Sequence, residues 1–167
     1  VFRTQLKAIM RAAAIGNLKV VLPLITRVDE QRSAHRVKAE QDTELTTAGV
    51  EHASRIELGC MIEVPSAIMI ADELARECSF FSLGTNDLTQ YLLAVDRANE
   101  YVNYLFDSFH PGVLRAVKLI VDAANRNGIP ISVCGEMAST PAQAVVLMGL
   151  GLTDLSMTPS AIPVIRR

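Results

Sequence analysis

Five side chains in three short stretches have the types and spacing to act on an anionic small molecule. Glu63 stands in Cys60-Met61-Ile62-Glu63-Val64-Pro65. Asn86 and Asp87 stand in Ser82-Leu83-Gly84-Thr85-Asn86-Asp87-Leu88-Thr89-Gln90-Tyr91, and Arg97 follows in Ala94-Val95-Asp96-Arg97. Cys134 stands in Val133-Cys134-Gly135-Glu136. A carboxylate among the apolar neighbours of Glu63 is costly unless it is paired or bound to a metal. A lysine or arginine from a neighbouring unit and a metal ion are both open as its partner. Asp87, with Gln90 three residues on, reads either as a helix N-cap in a capping box or as a second metal ligand. Two carboxylates at the ends of adjacent strands, about 4.8 Å apart, can share one hard cation. So few protein ligands suit Mg²⁺, which keeps room for waters and substrate oxygens.

The remaining candidates would handle the anion itself. An apolar run that stops at Gly84 and turns into a helix leaves backbone N–H groups free for an anion. Asn86 can donate its amide to a substrate oxygen, and Gly84 permits close backbone approach. Arg97 offers a bidentate fork for phosphate or carboxylate, or else a surface pair with Asp96 or Glu100. Cys134 ends an apolar run without an adjacent histidine, which favours a thiol acting as proton donor over a protease-like nucleophile. Cys60 and Cys78 are expected to be buried structural cysteines. His35 and His52 are expected to be solvated, and His110 is open.

Positioning these groups requires a regular scaffold. Five short apolar runs, Lys19–Ile25, Ile56–Ile62, Ser79–Leu83, Ile129–Val133 and Thr153–Met157, alternate with helical patterns. Their continuous hydrophobicity suits parallel strands covered on both faces. A polar helix is expected over 28–47 with Thr26 as its cap, and another from Pro65 or Ser66 to about Glu77. A third should start at Pro111 and stop at Gly128, and a fourth should run from Pro141 to about Gly149. Phe2, Leu6, Ile9, Met10 and Ala13 have helical spacing at the start. The βα alternation gives an α/β fold, either a doubly wound sheet or a (β/α)8 TIM-type barrel. Polar residues just past the run ends, at Glu63, Asn86-Asp87, Cys134-Gly135-Glu136 and Thr158, favour the barrel mouth. Five units are too few to close it, so residues 1–167 are expected to be its last five βα units.

Bulk properties narrow the function classes. The 167 residues are 50% hydrophobic with a formal net charge of -2 and no long run of one sign. That argues against a general nucleic-acid or anionic-membrane binder. Three cysteines without a C-x-x-C pair indicate neither a disulfide framework nor a zinc ribbon, and a reducing cytoplasm is the default expectation. The apolar runs are too short to span a bilayer.

Read together, the three stretches resemble, in the same order, the motifs of the phosphoenolpyruvate (PEP)-utilising enzymes. The Ser82–Arg97 wording is highly specific, and the likeness spans nearly the whole chain. Cys134-Gly135-Glu136-Met137-Ala138 and Leu155-Ser156-Met157 favour the sugar phosphotransferase branch over pyruvate phosphate dikinase or PEP synthase. The resemblance implies a (β/α)8 barrel binding PEP and Mg²⁺ at its strand C-termini. It makes Glu63 and Asp87 metal ligands, Asn86, Asp87 and Arg97 substrate-binding residues, and Cys134 the donor that protonates C3 as pyruvate forms. It also implies a phosphorylated histidine on a separate domain, and none of His35, His52 and His110 has the setting of that histidine. The phosphocarrier protein HPr or a paralogue would be the downstream partner, and the barrel would form a homodimer. Two rival readings are a Mg²⁺-dependent lyase or aldolase barrel and a non-catalytic binding or dimerisation module.

Overall fold

The computed structural model describes all residues, 1–167. Five strands, β1 (Lys19–Leu22), β2 (Glu57–Ile62), β3 (Phe81–Gly84), β4 (Ile131–Cys134) and β5 (Asp154–Ser156), form one sheet in the order β1-β2-β3-β4-β5. Every pairing is parallel. Strand order bears on the two architectures that the sequence leaves open. A doubly wound sheet reverses its strand order at a switch point, whereas consecutive units of a barrel follow one another round the wall. No reversal occurs here.

The register separates two faces. Val20, Leu22, Leu58, Cys60, Ile62, Phe81, Leu83 and Val133 share a single buried core with the helices. Met61, Ser82, Ser132 and Asp154 lie at one level of the opposite face, with Gly84, Cys134 and Ser156 one step nearer the strand C-termini. Apart from Met61 these residues are polar or small, and only the other side of the sheet carries the large apolar core. The strands are therefore not covered evenly on both faces, as their hydrophobic runs suggest.

The helices follow local chemistry. α1 (Phe2–Ala12) buries Leu6 and Met10, and α2 (Val28–Thr47) buries the narrow stripe Gln31, Ala34, Gln41 and Leu45. Thr26 does not cap α2. Its N–H and hydroxyl donate to the Glu30 carboxylate, as does the Arg27 N–H, so the acid three residues into the helix closes the turn. The helix expected over 65–77 is two short ones, α3 (Pro65–Met69) and α4 (Ala71–Ala75), broken at Ile70 with φ -116° and ψ 26°. α5 (Thr85–Leu93) follows β3 directly. α6 (Pro111–Arg126) is capped by His110, whose Nδ1 accepts from the Gly112 N–H at 3.1 Å. α7 (Pro141–Gly149) and the short α8 (Ile162–Ile165) complete the chain. No helix is long and apolar enough to cross a membrane.

His35 and His52 are not solvated side chains. The His35 Nε2 lies 2.9 Å from the Glu77 carbonyl. The His52 ring bridges the Val50 carbonyl at 2.8 Å and the Asp42 carboxylate at 2.9 Å, and its side chain is 8% exposed. Both histidines tie α2 to the chain around it.

Candidate functional site

All five candidates meet at the C-terminal ends of β2, β3 and β4. Met61, Glu63, Gly84, Asn86, Asp87, Arg97, Cys134 and Gly135 line one cavity of about 210 Å³. Asn86 also borders two adjoining hollows, of about 470 Å³ beside Arg97, Asn103 and Phe106 and about 320 Å³ beside Ser139, Ser156 and Thr158. A larger hollow, about 660 Å³ around Phe2, Leu22 and the first turn of α2, shares no residue with this cluster.

Glu63 follows β2 and is 2% exposed. No lysine or arginine pairs with it. Its partner is the backbone of the first unit: the Leu24 N–H donates to Oε1 at 2.7 Å. Leu24 holds a left-handed conformation, φ 52°, to make that contact. Burial pushes the Glu63 carboxyl up, the Leu24 hydrogen bond pulls it down, and the neighbouring Asp87 raises it again. Its other oxygen, Oε2, lies over Gly84. A Cβ there would sit 2.5 Å from Oε2, so only glycine leaves the carboxylate its place.

Asp87 is not the N-cap of α5. It is the third residue of that helix, after Thr85 and Asn86, and Gly84 holds the cap position. In the first turn its carboxylate is favoured by the helix dipole and stays free to face Glu63. Gln90 does not reach back to close a capping box either; its Oε1 accepts from the Arg97 N–H at 3.2 Å. Ala94, left-handed at φ 52°, ends α5 and turns the chain, so Arg97 returns over the helix start. The Arg97 guanidinium stands 3.4 Å from the Asp87 carboxylate, not against Asp96 or Glu100.

The Asn86 amide is oriented by its surroundings. Its Oδ1 accepts from the Glu136 N–H at 3.1 Å, which leaves the NH₂ group as the end able to donate elsewhere. Gly135, with φ 139°, brings the β4 turn close enough for that bond. Thr85 Oγ1 is buried without a partner beside the same turn. Cys134 is partly exposed, with Sγ 3.0 Å from Ser82 Oγ and 3.5 Å from the Leu83 carbonyl.

The donor set fits a small hard cation. Two carboxylates from neighbouring strand ends stand together with like charge, one of them buried and already raised. No three His, Cys, Asp or Glu side chains converge into a caged metal centre. Two protein oxygens plus waters or substrate suit Mg²⁺ better than Zn²⁺ or Ca²⁺. Beyond the five, no local signal marks Met61 or Ser82 until the strand register is known. Asn103 and Phe106 stand in the 98–111 connection, the longest irregular stretch of the sequence and one whose length alone suggests a cover over a site.

The whole chain, residues 1–167, matches the family model described as PEP-utilising enzyme, PEP-binding domain. It is 47% identical over 161 residues to the phosphoenolpyruvate-protein phosphotransferase of Listeria monocytogenes, covering 96% of this chain and 28% of that protein. With the Bacillus subtilis protein of the same name it shares 44% identity over 162 residues, 97% of this chain and 28% of the relative. The chain thus spans little more than a quarter of the curated relatives it matches. Among solved structures, a citrate lyase from Burkholderia xenovorans superposes with a TM-score of 0.66 at 22% identity, over 98% of this chain and 52% of that one. A Haloferax volcanii malate synthase does so with a TM-score of 0.70 at 14% identity, over 96% and 44%. At such identities the likeness is one of fold.

Proposed function

The chain belongs to the PEP-utilising enzymes, as their PEP-binding domain, and on that premise we propose that it forms one wall of a phosphoryl-transfer site. The parent protein would move the phosphoryl group of PEP to a histidine of its own and release pyruvate, as the first step of a sugar phosphotransferase system. The phosphorylated histidine and the remaining barrel strands would be supplied by other parts of that parent. HPr or a paralogue would take the phosphoryl group onward, the barrel would pair as a homodimer, and the protein would work in the cytoplasm. The observation that carries this reading is the convergence of Glu63, Asn86, Asp87, Arg97 and Cys134 on one cavity.

Each residue has a distinct task. Glu63 and Asp87 would hold Mg²⁺, which when bound supplies positive charge to the substrate's oxygens. The Asn86 NH₂ group and the Arg97 fork bind phosphoryl oxygens and aim the group for in-line attack by the histidine nitrogen. The free N–H groups at the start of α5 add to that cradle. As the C2-linked oxygen–phosphorus bond breaks, the electron pair left on oxygen forms the carbonyl, and the C2–C3 π pair takes a proton at C3. Cys134 gives that proton and is left as thiolate, to be reprotonated from solvent.

The test is labelled-phosphate transfer from PEP to the full-length parent, with pyruvate release followed in parallel. Asn86→Ala and Arg97→Ala should each lower transfer by roughly 10²-fold or more. Transfer at the unsubstituted rate in both would overturn the assignment.

A further inference from the structure

We infer that Ser82, one layer beneath the cavity, is a positioning residue that aims the Cys134 thiol and stabilises the thiolate left behind. The inference rests on the proposed role of Cys134 as proton donor.

Three observations carry it. Ser82 is the polar member of an otherwise apolar, wholly buried strand, Phe81-Ser82-Leu83-Gly84, and is itself 5% exposed. A buried hydroxyl needs a partner, and the side-chain partner within reach is Cys134 Sγ, at 3.0 Å. The register fixes the pair: Ser82 is level with Ser132, and Gly84 with Cys134, so the hydroxyl comes up under the sulfur from the neighbouring strand. Gly84 has no side chain to stand between them. Ser82 does not line the cavity, so it can act on substrate only through Cys134.

Either atom of the pair could donate, and in this role the Ser82 O–H does. The Leu83 carbonyl, 3.5 Å from Sγ, can only accept, so the S–H is held by a weak bond that it gives up easily. The Ser82 O–H then donates to the sulfur lone pair. When the S–H bond breaks toward C3, sulfur keeps the electron pair, and the Ser82 O–H bond becomes charge-assisted and stronger. Ser82 keeps its own proton throughout. The hydroxyl therefore favours the thiolate side of the transfer more than the thiol side, as a catalytic contact must.

The experiment uses the full-length parent protein carrying Ser82→Ala, Ser82→Thr or Cys134→Ala. Each is given PEP isotopically labelled at C3 in deuterium oxide, and kcat, KM and the face of C3 protonation are read. Ser82→Ala should lower kcat roughly 10- to 100-fold, the worth of a hydrogen bond to a charged group. Its KM for PEP should stay within about threefold, while part of the C3 deuteration loses its facial preference. Ser82→Thr, which keeps the hydroxyl, should restore most of both. Unchanged kcat and facial preference in Ser82→Ala, with Cys134→Ala impaired, would overturn the role of Ser82 and leave that of the thiol. Unchanged behaviour of Cys134→Ala would overturn the thiol's role and Ser82's with it. A loss in Ser82→Ala that Ser82→Thr does not recover makes the serine a packing residue and overturns the inference. Should Ser82→Ala not fold, Ser82→Cys has nearly the same shape and a much weaker donor, and unchanged kcat and preference in it are equally decisive.

Discussion

Cys60 on β2 and Cys134 on β4 belong to one sheet, two strands apart, and point to opposite faces of it. Cys60 is level with Phe81 and Ile131 on the helix-covered side and is fully buried. The neighbouring Cys78 thiol, and then burial, push its thiol far up, so it stays a protonated and inert filler. Cys134 is level with Gly84 on the open side, borders the cavity and has a serine hydroxyl beneath it. The two thiols are chemically identical as residues. Odd or even position along a parallel strand, and distance from its C-terminal end, separate packing from chemistry.

The sharpest way to break this contrast is substitution at the two cysteines. Cys134→Ser in the full-length parent should slow pyruvate formation by roughly 10²–10⁴-fold, the usual worth of a placed general acid; a rate within about twofold of the unsubstituted protein would erase the difference. Gly84→Ala tests the open side without touching a thiol. Its Cβ would displace Glu63 Oε2, so Mg²⁺-dependent PEP binding, followed by calorimetry, should weaken about tenfold or more while the fold survives. Cys60→Ser should do the reverse. Placing a less adaptable hydroxyl on the helix side should cost about 1–3 kcal/mol in chemical denaturation, with activity per folded molecule unchanged. Alkylation of the native protein followed by peptide mapping should mark Cys134 well before Cys60 or Cys78.

A smaller effect concerns the helix side alone. The Val50 carbonyl first, and Asp42 after it, raise His52 above its ordinary 6.5. A raised folded pKa means that the pairing contributes fully below about pH 6.5 and is lost as pH rises through the folded value. Thermal stability should therefore decline across that window, and His52→Gln should flatten the decline. An unchanged pH profile in His52→Gln would show that the ring is an uncharged packing element.

Much of this arrangement was legible in the chain. The α2 bounds follow from a polar run with a narrow apolar stripe, and the site residues stand just past strand ends where polar groups interrupt apolar runs. What was not legible depends on contacts between distant segments. Asp87 with Gln90 has the spacing of a capping box, but Gly84 takes the cap position, so the helix begins three residues earlier and the acid lies inside its first turn. His35 and His52 sit in polar sequence, and nothing local says that a carbonyl at residue 77 or a carboxylate at residue 42 is waiting for them. The break at Ile70 has no glycine or proline to announce it. Ser82 looks like an accident within an apolar strand until the β3–β4 register puts it under Cys134.

The bond from the Leu24 N–H to Glu63 bears on how such a barrel can be cut and rejoined. A designer seeking the smallest portable version of this site would naturally begin at β2, where Glu63 first appears. That excision would discard the amide that fixes one carboxylate oxygen and leave Glu63 free to rotate away from Asp87. The first βα unit contributes no side chain to the cavity, yet it belongs inside the boundary of any transplantable module. Supplying an amide by proline-free loop grafting, with the left-handed residue replaced by glycine, would be the simplest substitute for it.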